Sequence, residues 1–257
     1  MAGNFVQLHN HTHYSLLDGA SKVPDLVKRA KELGMPAVGI TDHGNMHGAY
    51  EMWSAAVNAG IKPIIGIEAY VTPETARQDK TRVSWDTNWT PVPGHARNPD
   101  DVSGGGLITH LTMWAENDEG LVNLIKASSV ANLEGRVMRY PRMDKEVLST
   151  YSKGVIASSG CPSGIIQTRL RLGQFDEALR AAGEFQDIFG KDNFYIELMD
   201  HGLSIESKVT GDLLTIAKKL GAPLLATNDS HYVMEADKDA QDAMLCINSG
   251  ATLDDPN

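Results

Sequence analysis

The sequence predicts an α/β fold, a (β/α) barrel or a distorted relative of one with helical crossovers between parallel strands. Three observations point there. About seven short apolar runs punctuate the chain, and amphipathic stretches of helical period separate them. The 257 residues, 42% of them hydrophobic, suffice for one sizeable core. A doubly wound open sheet is the alternative that the same alternation allows.

The expected strands are Phe5–Leu8, Ala37–Ile40, Ile64–Val71, Leu107–Met113, Gly154–Ser158, Phe194–Leu198 and Pro223–Ala226. After the first, Val23, Leu26, Val27, Ala30 and Leu33 recur at helical spacing, with Pro24 suited to a first turn and Gly34 to the residue past the end. Met46, Ala49, Met52, Trp53, Ala56 and Val57 make a second stripe that Gly60 closes, and Leu121, Leu124 and Ile125 belong to a third. Phe175 to Phe189, closed by Gly190, and Ile205 to Leu220, closed by Gly221, are the last two. These faces are read as core. Residues 74–106 break the rhythm: the segment is polar, carries Pro91, Pro93 and Pro99, and ends in three glycines. Loops this long are functional or mobile. Its Trp85 and Trp89 either face a substrate or partner or belong to a surface insertion.

Composition narrows the function classes. Two cysteines, Cys161 and Cys246, cannot build a disulfide framework and suit a reducing cytosol. No apolar run approaches the roughly 20 residues of a membrane span, and no signal peptide is read at the N-terminus. A formal charge of −10 is poor for tracking phosphates by charge alone, although bound divalent cations would invert that locally. The end at Asp254-Asp255-Pro256-Asn257 is expected to be that of a domain cut from a longer chain.

The chemistry lies in where His, Asp, Glu and Cys fall. His9, His11 and His13 end the first run; Asp42 and His43 follow the second; Glu68 is late in the third; His110 is in the fourth. Cys161, His201, and Asp229 with His231 follow the remaining three. In a parallel barrel these strand ends converge on one rim, where active sites form, and every one of these residue types ligates divalent metals. Alternate strand residues face the same side, so His9-x-His11 and Asp229-x-His231 can each present two groups to one ion.

These residues resemble the polymerase and histidinol phosphatase (PHP) superfamily. His9-Asn10-His11-Thr12 is similar to its first motif and Thr41-Asp42-His43-Gly44 to its second. His9, His11, Asp18, His43, Glu68, His110, Cys161, Asp229 and His231 fill all the expected ligand positions. Leu8 to Gly19, Gly34 to Ala37, Gly60 to Gly66 and Ala226 to Tyr232 resemble more closely the PHP domains of DnaE-type bacterial DNA polymerase III alpha subunits. The polymerase type whose PHP domain is interrupted by an exonuclease does not fit.

The resemblance implies a distorted seven-stranded, TIM-barrel-like (β/α) barrel over residues 1–257, a single PHP domain with a polar insertion near 74–106. It implies up to three divalent ions, zinc or manganese, with magnesium as another candidate. His9, His11, Glu68 and Asp229 would hold the first, Glu68, His110 and Cys161 the second with Glu68 bridging, and Asp18, His43 and His231 the third. The activity implied is phosphodiester hydrolysis at a DNA 3′ end by metal-activated water, with Asp229, His11, Glu68 and His201 as catalytic candidates. The partners implied are a DNA 3′ end delivered by the rest of a DNA-directed DNA polymerase, and other polymerase III domains or subunits. This segment stops short of the polymerase site, and no membrane is involved.

Alternatives stay open. Either the metals serve only to brace the domain, or the chain is a free-standing phosphatase for a small monoester such as histidinol phosphate. Cys161 is read as a ligand ahead of a nucleophile, and Cys246 as a buried small hydrophobe. His201 touches a scissile phosphate or is a hydrogen-bonded structural residue. His13 and His47 have no assigned role, His95 is read as solvated, and Asp42 is expected to orient a neighbouring ligand.

Overall fold

The computed structural model describes residues 5–86, 90, 98, 100–101 and 105–255. The elements run α1 (Val23–Glu32), β1 (Ala37–Ile40), α2 (Ala49–Ala59), β2 (Lys62–Val71), β3 (Thr109–Ala115), α3 (Asp118–Glu134), β4 (Arg142–Met143) and α4 (Lys145–Thr150). They continue with β5 (Val155–Ser158), α5 (Ile165–Arg171), α6 (Phe175–Phe189), β6 (Phe194–Leu198), α7 (Ser204–Leu220), β7 (Leu224–Ala226) and α8 (Lys238–Ser249). Two compact units emerge, Met1–Ile67 with Thr227–Asn257, and Glu68–Ala226.

In the first unit, α1 forms as its sequence dictates. Pro24 sits in the first turn, Asp25 favours the N-terminal dipole, and Arg29 and Lys31 favour the C-terminal one. Val23, Leu26, Val27 and Ala30 are buried against Val38, Ile40, Met52 and Ala56. Two members of the expected α2 stripe face out: Trp53 and Val57 are exposed. β1 pairs in parallel with the start of β2, Ala37 opposite Lys62 and Ile40 opposite Ile65.

The expected first strand, Phe5–Leu8, is not one. The segment makes single contacts, Gly39 N–H to Gln7 O at 2.7 Å and Thr41 N–H to Asn10 O at 2.9 Å. Side chains take the places of ladder bonds: the Asn10 amide nitrogen donates to Gln7 O and Gly39 O, and Thr41 Oγ1 accepts the Asn10 N–H. The strand count reaches seven through β4, a two-residue strand that the sequence reading did not include.

In the second unit the strands follow the order β2-β3-β5-β6-β7, with β4 also on the end of β2. β2 with β4, β5 with β6 and β6 with β7 are parallel. β3 and β5 run antiparallel, Met113 opposite Ala157, against the expectation of parallel pairing throughout. Alternating strands and helices carry no label of strand direction, so this reversal is invisible in the sequence.

The described part of the 74–106 segment is anchored. Arg142 is fully buried and donates to the carbonyls of Arg77, Asp79, Leu107 and Gly135. Trp85 is buried beneath the Arg169 guanidinium, 4.2 Å from the ring centre, and its carbonyl accepts from Gln174. Glu74 pairs with Arg169 and Arg180, each at 2.5 Å. Burial would push the Glu74 carboxyl up, but hydrogen bonds from Arg180 and Arg169 hold it below the usual range. Trp89, His95, Pro91, Pro93 and Pro99 lie outside the described residues. Among the described residues no helix is long and apolar enough to cross a membrane.

Candidate metal centre

Six predicted ligands belong to the first unit. His9 and His11 follow the Gln7 contact with β1, and both are fully buried. Each turns Nε2 to the same Asp229 oxygen, at 3.2 and 3.0 Å. Backbone bonds fix this meeting, since His11 N–H donates to Ser230 O at 2.8 Å and Ser230 N–H to His9 O at 3.2 Å. Asp18 lies between His43 Nε2 at 2.9 Å and His231 Nε2 at 3.0 Å. Burial would raise the Asp18 carboxyl, but hydrogen bonds from His231 and then His43 carry it far below the ordinary carboxylate range. The His11 ring stacks on His231, centroids 4.4 Å apart, and stands 4.1 Å from His43.

Asp42 orients this set together with Ser15 and Gln241, two residues that the sequence reading passed over. Asp42 accepts from Thr12 N at 2.6 Å and from Ser15 Oγ at 2.8 Å. Ser15 Oγ lies 3.0 Å from His11 Nδ1 and accepts the His43 N–H at 3.0 Å. Asp42 therefore acts on two ring-bearing residues through one hydroxyl, the orienting role expected of it. The Asp18 loop is gripped from α8, where Gln241 donates to Asp18 O and accepts the Ala20 N–H at 3.1 Å. Gly19 is required here, because a Cβ would lie 2.3 Å from Thr12 O. Neither Ser15 nor Gln241 carries a signal in the sequence, since both act through fold-determined proximity.

Three predicted ligands belong to the second unit. Glu68, on β2, is fully buried. His110 Nδ1, on β3, lies 2.5 Å from Glu68 Oε1, and Cys161 Sγ donates to the same oxygen at 3.1 Å and stands 3.6 Å from His110 Nδ1. Cys161 follows β5 through Gly160, whose φ of +79° is a left-handed conformation that glycine adopts without strain. Gln167 of α5 ties this turn down, donating to Gly160 O at 2.7 Å and Ser159 Oγ at 3.2 Å.

The donor sets fit a divalent cation. In the first unit, one ligand atom each from His11, Asp18, His43 and His231 lies within 4.8 Å of all the others, and neutral imidazole with carboxylate is the chemistry such ions select. His201 belongs to neither cluster: its Nδ1 and its backbone N–H meet Glu206, at 2.6 and 2.8 Å. His13 and His47 are exposed. Cys246, expected to be buried, is half-buried on α8, whose buried residue is Gln241.

The PHP domain model matches residues 7–201. The chain belongs to the PHP family. The relatives of this PHP chain include the DNA polymerase III subunit alpha of Mycobacterium leprae, 52% identical over 254 residues, covering 99% of this chain and 21% of that protein. That of Saccharopolyspora erythraea is 54% identical over 251 residues, covering 98% and 21%. The chain thus spans about a fifth of the length of the curated relatives it matches. A solved structure of an amidohydrolase from Chromobacterium violaceum, with bound sulfate and no metal, superposes with a TM-score of 0.52 at 15% identity, covering 94% of this chain and 97% of that one. The expected (β/α) class is the class of the fold.

Proposed function

We propose that this PHP domain is a metal-dependent phosphodiesterase that removes nucleotides from DNA 3′ ends. The observation that carries the proposal is the convergence of the predicted ligands into buried and half-buried clusters of imidazole, carboxylate and thiol groups, six residues in one unit and three in the other. The likeness to DNA polymerase III alpha subunits supports a setting within a cytoplasmic replicative polymerase. Its partners there are the polymerase parts that deliver a frayed 3′ end, and its task is proofreading. Residues 1–257 act as one PHP domain.

The ions that these residues would hold, up to three and zinc or manganese by donor type, would supply Lewis acidity toward water and charge to offset the phosphate. His9, His11 and Asp229 form one ligand group, Asp18, His43 and His231 another, and Glu68, His110 and Cys161 a third. Asp42 and Ser15 hold the His11 ring in place, and Gln241 holds the Asp18 loop. None of these residues need act as a nucleophile. Cys161 would serve as a ligand, a role that its place 3.1 Å from the Glu68 carboxylate supports.

The test is release of nucleotides from a 3′-labelled single strand by the metal-loaded protein. His11→Ala and Asp229→Asn should each lower the rate at least about a hundredfold, the scale of losing a metal or its orientation, while the circular dichroism stays that of the folded chain. Release at the wild-type rate in both variants would refute the assignment and expose a contaminating nuclease.

A further inference from the structure

This inference rests on the phosphodiesterase reading and adds to it a surface that holds the strand beside the group of Glu68, His110 and Cys161. Glu68 and Tyr70 stand two apart on β2, so their side chains share a face. The Tyr70 ring meets the His110 ring edge-on, with centroids 5.3 Å apart and planes at 71°. It meets the Tyr140 ring in the same way, at 5.0 Å and 80°. Both lie within the range of favourable aromatic pairs. The Arg139 guanidinium carbon stands over the Tyr140 ring, 5.3 Å from its centre. Two tyrosine rings thus join a predicted metal ligand to an exposed arginine, all within the second unit.

Arg139 and Tyr140 belong to a tight turn that closes on itself. The Val137 N–H donates to Tyr140 O and the Tyr140 N–H to Val137 O, each at 3.0 Å. Met138 and Arg139 form its exposed tip. Met138 takes φ +55°, a left-handed conformation that a residue with a Cβ adopts at a cost. Its side chain is 73% exposed, so burial of that side chain does not offset the cost. Strain of this kind collects at ligand-binding turns. Charge singles out the same stretch. Residues 135–143 hold three arginines and no carboxylate, in a chain whose net charge is −10. Arg142 is turned inward, whereas Arg136 and Arg139 are exposed. We infer that Tyr140 and Arg139 form a stacking surface for a nucleobase of single-stranded DNA, with Tyr70 as the positioning residue that holds the Tyr140 ring beside His110. Every base has a π-face that aromatic rings and guanidinium planes can stack on, so the contact tolerates any sequence. The arginine charge suits the phosphates on either side of that base.

The experiment compares two fluorescein-labelled single strands of equal length, an oligothymidylate and its abasic counterpart. Both carry phosphorothioate linkages, so that binding to manganese-loaded protein is read by anisotropy without cleavage. The wild type should bind the oligothymidylate about tenfold more tightly than the abasic strand, the low end of what one stacked base supplies. Tyr140→Ala should erase that difference and Arg139→Ala should narrow it, with metal content and melting temperature unchanged. Tyr140→Phe should keep it, because the ring and not the hydroxyl does the stacking. A merely structural role would weaken both strands alike. If Tyr140→Ala does not fold, Tyr140→Leu takes its place. Equal affinity of the wild type for the two strands overturns the assignment, as does a difference that survives intact in either folded alanine variant. Nucleotide release is measured separately on an ordinary strand. Base-dependent binding through Tyr140 without release would sink the phosphodiesterase reading and leave this surface standing; release with binding indifferent to Tyr140 would do the opposite.

Discussion

Asp229 joins backbone conformation to site chemistry. Its φ is +46°, in the left-handed region that disfavours most side chains and that Asp and Asn tolerate. The conformation turns its carboxylate onto His9 and His11. The two demands can be separated. Asp229→Asn keeps the backbone preference and removes the charge, whereas Asp229→Ala removes both. In chelator-treated protein, thermal melting should place Asp229→Ala about 1 kcal/mol below Asp229→Asn; equal melting would mean that the turn bears no conformational cost. At this scale the sequence was legible wherever a ligand type recurred at strand spacing, as in His9-x-His11. It was silent on Ser15, whose residue type is ordinary and whose Asp42 partner lies 27 positions away, and on Gln241, whose Ala20 partner lies 221 away.

Among the elements, the helices with a clear apolar stripe and a closing glycine, α1, α2, α6 and α7, could be read directly. α5 could not, because all of its seven residues are buried and no polar face marks a period. α8 could not for the opposite reason, since Gln241 is its buried residue. The 74–106 segment looked like a free loop because its anchors lie elsewhere in the chain. Arg142 on β4 satisfies four carbonyls, three of them at the two ends of that segment. Arg142→Ala would leave these acceptors buried and unpaired, at roughly 1–3 kcal/mol per group that water cannot reach. Urea denaturation should show a loss of about 3 kcal/mol or more, and limited proteolysis should cut first between residues 77 and 107. A stability within 1 kcal/mol of wild type would show that the segment holds itself. Arg142→Lys should recover only part of the loss, since one ammonium cannot reach four carbonyls.

For the whole molecule, the charge of −10 and the metal clusters belong to one account. An acidic chain has little sequence-independent hold on DNA, so a hydrolytic role needs cations at the ligand clusters and delivery of the strand by the rest of a polymerase. The relatives, about five times as long as the stretch they share with this chain, offer such a setting. The central claim is that the clusters hold several ions and that those ions support hydrolysis. It is tested most directly by elemental analysis of chelated and reloaded protein, with 3′ nucleotide release measured on the same samples. More than one divalent ion per chain is expected, with release absent after chelation and restored in step with reloading. One ion or none after reloading, or full occupancy without release, would contradict it.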